Sequence, residues 1–186
     1  MSMLTDLDTV KAWLATNGLA FPATDDDLLT GLIQSVSGFI EAWLNRTIAS
    51  ASYTFTGNGT GSRRLLLPNY PVSAVASLMV DGLAVLPSAG FGLPGFAFDD
   101  LGLWLTGSVF TRGVQNVSVA YTAGFATVPY ELQQACIATV ALRYRERERI
   151  GMASKAMSGE TTAYTIKDFP VEVATILKNY RKVVPI

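Results

Sequence analysis

The spacing of apolar residues predicts helices at both ends of this 186-residue chain. A short amphipathic helix is expected from Thr5 to about Thr16, closed by Asn17 and Gly18. A longer helix follows Thr24, and three aspartates stand at its start, where the helix dipole favours negative charge. Its apolar side chains recur at helical spacing: Leu28, Leu29, Leu32, Ile33, Val36, Ile40, Trp43 and Leu44.

A second long helix is predicted from an N-cap at Thr127, with Pro129 in its first turn. It ends in a run of alternating arginine and glutamate, Arg143 to Arg149. A last short helix is expected after Pro170, with a narrow apolar stripe formed by Val173, Leu177, Tyr180 and Val184. Because an isolated helix of this length is marginal in water, it needs a surface to dock on.

Between about Ala51 and Thr122 the apolar period falls to about two residues, which is typical of strands, and Asp81-Gly82 predicts a hairpin turn. The predicted fold class is α+β: a small helical bundle (two long helices plus shorter N- and C-terminal helices) with a β-rich insertion between the long helices. The predicted division is a helical body at 1–50 and 123–151, a β-rich insertion at 51–122, and a C-terminal arm and helix at 152–186.

Composition excludes several kinds of function. There is no histidine, and Cys136 is the only cysteine, so Ser-His-Asp and Cys-His catalysis and cysteine metal clusters are excluded. Cys136 lies on the apolar side of its predicted helix, so we expect it to be a buried structural thiol. Asp99 and Asp100 are typical of a turn, and three aspartates at a helix start are typical of capping charge. We therefore expect no catalytic residue, no cofactor site and no metal site. Hydrophobic residues make up 49% of the chain and charged residues 16%, which favours apolar surface kept for partners.

Charge is distributed unevenly although the net charge is −1. Up to Ile48 there are six acids and two bases, whereas from Ala141 onward there are nine bases and five acids. Complementary ends suit copies that pack head to tail, as in a ring or filament. Two solvated ends would give the same pattern.

The arginine run is not a single basic stripe. On a helix Arg143 and Arg147 share one face, Arg145 and Arg149 share another, and the glutamates fall between them. A DNA-reading helix would gather its positive charge on one side. Two interpretations remain, a solvated helix end and a contact with acids of the same chain or a neighbour. The predicted subunit-interface residues are Asp25, Asp26, Asp27, Arg143, Arg145, Arg147 and Arg149.

Two loops have compositions that raise the question of a phosphate-binding site and of a contact surface. "FTGNGTGSRR" lacks the Gly-Lys-Ser/Thr ending and the following helix of a phosphate-binding loop, and it is interpreted as a hairpin tip. "LPSAGFGLPGFAF" has few polar residues around its phenylalanines, so it is either a contact surface or an ordinary loop packed on the sheet.

The order of elements and several strings resemble the head-tail connector (adaptor, or head-completion) proteins of long-tailed bacteriophages and related prophages. The strings are, in order, "DDDLLTGLIQSVSGFIEAWLNRTI", "LLLPNYPVSAVASLMVDG", "VSVAYTAGFATVPYELQQACIATVALRYRERERIG" and "SGETTAYTI" before a terminal helix. They cover nearly the whole chain, and none of them is diagnostic alone. Against this pattern the glycine-rich stretch from Leu86 to Trp104 is an addition.

The resemblance implies a structural virion protein, not an enzyme, that forms a homo-oligomeric ring, a dodecamer, under the portal protein. Such a ring extends the DNA channel and provides the attachment surface for a stopper or tail-completion protein. Contact with the packaged double-stranded DNA is expected to be transient and non-specific. The resemblance also implies that the C-terminal segment reaches the portal. The predicted portal-contact residues are Tyr164, Ile166, Leu177, Tyr180, Arg181, Lys182 and Val184.

No apolar run approaches the ~20 residues that cross a bilayer, so no membrane contact is expected. The predicted location is the head-tail interface of the virion, after synthesis in the bacterial host cytoplasm. Three other functions stay open on the sequence: another virion ring such as a tail terminator, a sequence-independent DNA-binding module, and a small carboxylate or metal enzyme. The nine bases after Ala141 favour the DNA-binding module, and the missing histidine disfavours the enzyme.

Overall fold

The computed structural model describes residues 3–19, 21–147, 154–157, 160–163 and 169–182. The chain divides into two compact units, one formed by Met1–Arg46 with Val128–Ile186 and the other by Thr47–Thr127. In chain order the elements are α1 (Leu7–Thr16), a 3-10 turn (Ala23–Asp25), α2 (Asp26–Leu44), β1 (Ala51–Gly57), β2 (Arg64–Leu66), β3 (Val72–Val80), β4 (Leu83–Val85), β5 (Gly95–Asp99), β6 (Gly102–Thr106), β7 (Val117–Ala123), α3 (Tyr130–Glu146), β8 (Ser154–Met157), β9 (Glu160–Ala163) and α4 (Val171–Tyr180).

Local chemistry explains where α1 begins and ends. The carboxylate of Asp6 accepts a hydrogen bond from the Thr9 N–H at 2.7 Å and so caps the first turn. At the other end Gly18 adopts φ +69°, and the Leu19 N–H donates to the Leu14 carbonyl at 3.0 Å. This left-handed ending suits glycine and satisfies carbonyls that the helix leaves unpaired, as its Asn-Gly sequence predicts.

The helical unit closes around side chains from all four helices. Helices α2 and α3 pack on each other, and Ile33, Val36 and Ile40 of α2 and Cys136 and Val140 of α3 are each at most 1% exposed. Among the remaining buried residues of this unit are Val10 and Leu14 of α1, and Val173 and Leu177 of α4. Burial raises the pKa of the Cys136 thiol to about 11. The prediction of a buried structural cysteine is confirmed.

The strand unit contains two antiparallel sheets with strand orders β1-β7-β3-β4 and β2-β6-β5. Val80 pairs with Leu83 across Asp81-Gly82, both of which have positive φ, so the predicted hairpin turn is confirmed. The glycine-rich loop predicted to be a hairpin tip instead connects strands of different sheets, because β1 pairs with β7 and β2 pairs with β6. This unit has its own core, which includes Leu78, Leu103, Phe110, Val119 and Tyr121.

The predicted fold class, a small helical bundle with two long helices and a β-rich insertion, was wrong. In the described part of the chain four α-helices accompany two antiparallel sheets of seven strands and a separate antiparallel pair, β8 and β9, and strands dominate the α+β fold. The physical reason is that residues 47–127 bury their strands against one another, so they form a compact unit in their own right. The predicted caps were also displaced, since α2 follows a 3-10 turn and α3 begins after Pro129.

Candidate contact surfaces

The three aspartates at the start of α2 have different surroundings. The carboxylate of Asp25 accepts a hydrogen bond from the Tyr144 hydroxyl of α3. Asp26 accepts one from the Lys11 ammonium of α1 at 2.6 Å, and this ion pair is partly shielded from solvent. Asp27 is exposed. Two of the three predicted interface acids therefore hold the helical unit together, and the side chain of Asp27 lies at the surface.

The arginines at the end of α3 divide in a similar way. Arg143 lies over the ring of Phe39, 5.0 Å from its centroid. Arg147 lies 4.1 Å from the centroid of the Tyr144 ring and donates to the Tyr144 carbonyl at 2.8 Å. Arg145 is exposed, and Arg149 lies outside the described residues. Of the described arginines, Arg145 is therefore exposed, and Arg143 and Arg147 are half-buried.

Tyr144 brings the acidic and basic groups together within one chain. It is fully buried, its hydroxyl binds Asp25, and its ring and carbonyl contact Arg147. Tyr144 thus connects the acidic start of α2 to Arg147 at the end of α3.

Helix α4 lies on α2 and α3 of the same chain. Leu177 is 0% exposed, and the Tyr180 hydroxyl donates to the Glu131 carboxylate of α3. This hydrogen bond, with some desolvation, raises the pKa of Tyr180. Lys182 donates its backbone N–H to the Leu44 carbonyl at 3.0 Å. The helix that needed a docking surface thus has one within the chain.

Of the predicted portal-contact residues, Leu177, Tyr180, Arg181 and Lys182 lie in the described part of α4 and its end, whereas Tyr164, Ile166 and Val184 lie outside the described residues. The structure places Leu177 and Tyr180 on α4 and Arg181 and Lys182 directly after it, and it buries Leu177. The outward side of α4 presents polar side chains, among them Lys178, Asn179 and Arg181.

An aromatic stack that the sequence analysis missed holds α4 in place. The ring of Phe169, just before α4, lies 4.8 Å from the ring of Phe39 and 6.1 Å from that of Trp43. Arg143 covers Phe39, and Arg181 lies 5.5 Å from the Trp43 centroid. We call these five residues the arginine-aromatic stack. The spacing of four between Phe39 and Trp43 was the available signal, but nothing local marked Phe169 as their partner.

A second cluster lies on the three-stranded sheet of the strand unit. Asp99 accepts hydrogen bonds from the Trp104 indole N–H at 2.8 Å and from the backbone of Leu101 and Gly102, and it pairs with Arg64 at 3.3 Å. The bond from Trp104 is the main reason that the pKa of Asp99 is lowered. An ionised carboxylate saturated by donors fits the turn role that the sequence predicted for this residue.

The described residues contain no group of three or more acidic or cysteine side chains placed to hold a metal ion. Within the same residues, no helix has the length and apolar character needed to span a bilayer.

Comparison with known proteins gives a family and a fold. The family model described as "Head completion protein" matches residues 4–183. The chain resembles a chain in the neck of an empty gene transfer agent particle computed with C6 symmetry, with a TM-score of 0.61, 18% identity, and coverage of 100% of this chain and 95% of that one. The neck of the native particle computed with C12 symmetry gives a TM-score of 0.55 at 18% identity, covering 86% and 84%. The virion of the native particle gives 0.55 at 18%, covering 91% and 85%. No curated protein sequence matches the chain.

Proposed function

The chain belongs to the head completion protein family, and from that premise we propose that it is a structural head-tail connector. It forms a ring beneath the portal, lengthens the DNA channel and presents the surface to which a stopper or tail-completion protein attaches. The observation that carries this proposal is the family match, which spans residues 4–183. The role is structural, and the protein acts by assembling and not by catalysis.

The fold shared with gene transfer agent necks supports a ring of identical copies. One of those necks was computed with C12 symmetry, which suits the dodecamer proposed here. We retain the proposed division into a connector body (1–50 and 123–151), a β-rich insertion (51–122) and a C-terminal arm and helix (152–186). The protein is located in the virion, at the junction of head and tail.

We propose that Asp27 and Arg145 contribute to the contact between neighbouring copies. A closed ring needs two different surfaces on each copy, and opposite charges on them favour the correct register. Asp25 and Asp26 bind partners in their own chain, and so do Arg143 and Arg147. Asp27 and Arg145 are both exposed and of opposite sign, so they are the pair best placed to act between copies.

We propose that the portal contacts α4 while α4 stays docked. Releasing α4 would expose Phe169, Val173 and Leu177, and each large apolar side chain contributes about 1.5–3 kcal/mol when buried. Retaining the docked helix avoids that cost, so its polar outward side makes the contact. Of the predicted residues, Arg181 fits this requirement best, and Leu177 would act by supporting the helix from inside.

The test is assembly of the full chain with the portal protein from the same phage, followed by light scattering at low and high salt. We expect a ring on the portal for the wild type, and weaker ring formation for R145E and for D27R. Mixing the two variants should restore part of the loss, because each then meets an opposite charge on its neighbour. R63E is the matched control, since Arg63 is an exposed arginine of the strand unit.

A wild-type protein that remains monomeric and ignores the portal at every salt concentration would overturn the connector proposal. Steep salt-dependent binding of duplex DNA by that monomer would then favour the DNA-binding module. Ring formation that is unchanged in R145E and D27R would remove only the proposed subunit contact.

A further inference from the structure

The loop between β4 and β5 projects an apolar side chain that the fold does not use. Phe91 has a relative exposure of 109%, and Leu86 one of 75%. The seventeen residues from Gly82 to Phe98 contain no charged side chain. A soluble unit ordinarily covers such a segment or interrupts it with charge.

Hydrogen bonds hold the loop in a defined shape. Phe91 occupies the second position of a tight turn closed by the Leu93 N–H and the Gly90 carbonyl at 3.2 Å, and Gly92 supplies the φ of +78° that such a turn requires. The Ser88 hydroxyl lies 2.7 Å from the Gly90 carbonyl oxygen and 2.9 Å from that of Leu93. The ring of Phe91 is therefore held outward by an ordered turn.

The base of the loop is also anchored to the sheet. The Ser88 N–H donates to the Phe96 carbonyl at 2.8 Å, and the Phe96 N–H donates to the Leu86 carbonyl at 3.0 Å. Phe96 itself is buried in the core of the strand unit. The turn therefore stands on a fixed base, and a partner would meet Phe91 with little ordering cost.

A shallow groove of about 350 Å³ lies beside this base. It is lined by uncharged residues of β4, the loop and the end of β6, among them Ala84, Leu86, Pro94, Thr106 and Ser108. Gly95 and Gly107 expose backbone along it. The groove has room for an aromatic ring, and its own Phe91 does not fill it, because that side chain is fully exposed.

We propose that Phe91 of one copy packs into this groove on a second copy in the ring. The inference rests on the proposed ring function and adds a contact to it. A closed ring of one chain needs a projecting surface and a receiving surface on every copy, and the strand unit carries both. Neither surface holds a charge that would lose its hydration on contact. An aromatic side chain seated in a pocket is the usual anchor of a protein interface.

Cysteine cross-linking in the assembled ring tests this contact directly. Gly90 accepts a side chain, since an added Cβ would meet only Leu93 Cδ1 at 3.6 Å. Thr106 lines the groove, and the native Cys136 is buried, so the introduced thiols are the reactive ones. In the variant G90C/T106C we expect oxidation to give a ladder of covalent species larger than two copies, and we expect F91S in that background to weaken the ladder at least tenfold.

The matched control is G90C/V114C, because Val114 is 84% exposed and lies outside the groove. No ladder for G90C/T106C, an equal ladder for the control, or a product that stops at two copies would each overturn the inference. The mass of the wild-type assembly distinguishes failure of the Phe91 contact from failure of the connector proposal. A wild-type ring without the cross-link refutes this contact alone, whereas a wild type that forms no ring refutes the connector proposal.

Discussion

Truncating Phe169 to alanine should release α4 from the helical unit while the rest of the fold remains. Phe169 is 7% exposed, stacks on the ring of Phe39 and meets the ring of Trp43 edge-on. Removing a buried phenylalanine typically costs about 3–5 kcal/mol, because apolar burial is lost and a cavity is left. Among residues 172–180, whose side chains the structure describes, Val173 and Leu177 are the other buried residues. A helix of this length is not stable alone in water, so a loss of this size falls on its docking.

Amide hydrogen exchange is the assay that resolves this loss. A decrease of about 3 kcal/mol in the free energy of α4 opening speeds exchange of its amides by roughly 100-fold, since each 1.4 kcal/mol is a factor of about ten. Amides of the β1-β7-β3-β4 sheet should not change. F91A in the unassembled protein is the matched control, because the same truncation at a phenylalanine that is fully exposed in its own chain removes no area buried by folding. Unchanged exchange of α4 in F169A would refute the assignment of Phe169 as its anchor.

The arginines of the stack should contribute much less. A cation-π contact near the surface is typically worth about 0.5–1 kcal/mol, so R143M should speed α4 exchange by only about two- to fivefold. This has a consequence for assembly experiments. Reversing Arg143 to glutamate would disturb α4 as well as any contact with a neighbour, whereas Arg145 is exposed and touches neither Phe39 nor α4 in the described contacts.

Three further predictions concern the fold. D6A should lower the free energy of unfolding by about 1 kcal/mol in urea titrations, because the cap of α1 is lost. The hydrogen bond from the Thr9 N–H lowers the pKa of Asp6. The Asp6 carboxylate therefore contributes its full stability above the ordinary aspartate pKa, near pH 4, and loses that contribution as the pH falls below this value. The unfolding free energies of wild type and D6A should therefore converge in acid. G124A should lower the melting temperature, with a cost of about 2 kcal/mol or more, because φ is +111° and the new Cβ would lie 2.5 Å from the Ala49 carbonyl oxygen. G31A should instead stabilise α2 by about 0.5–1 kcal/mol, because its Cβ meets nothing within 4 Å; an equal loss in both glycine variants would contradict this reasoning.

Local signals were sufficient for the end of α1, the hairpin turn between β3 and β4, and the burial of Cys136. The ending of α1 depends on Gly18 and the hairpin turn depends on Asp81 and Gly82, because these residues adopt positive φ. The buried state of Cys136 followed from its place on the apolar side of a helix. In each case the deciding interaction spans only a few residues, so the sequence pattern contains it.

Contacts between residues that are far apart in the sequence could not be predicted from local patterns. Phe39 and Phe169 are separated by 130 positions, and Phe169 stands beside a polar stretch that gave no helical pattern. The prediction of a helical bundle as the main part of the fold failed for a related reason. Period-two runs identify strands, but whether those strands close around a core of their own depends on sheet pairing, such as β1 with β7, which no local pattern specifies.

The distribution of charge between the two units bears on how the ring would meet DNA. Residues 47–127 contain three arginines and three aspartates, and Arg64 is already paired with Asp99. At the end of α3, Arg143 and Arg147 lie against aromatic rings, with Glu146 exposed between them. Affinity for duplex DNA grows with the number of phosphates that cations can neutralise, so an arginine whose charge is already paired with a carboxylate, such as Arg64, adds less to it. We therefore propose that the strand unit, whose three arginines are matched by three aspartates, contributes little to DNA binding.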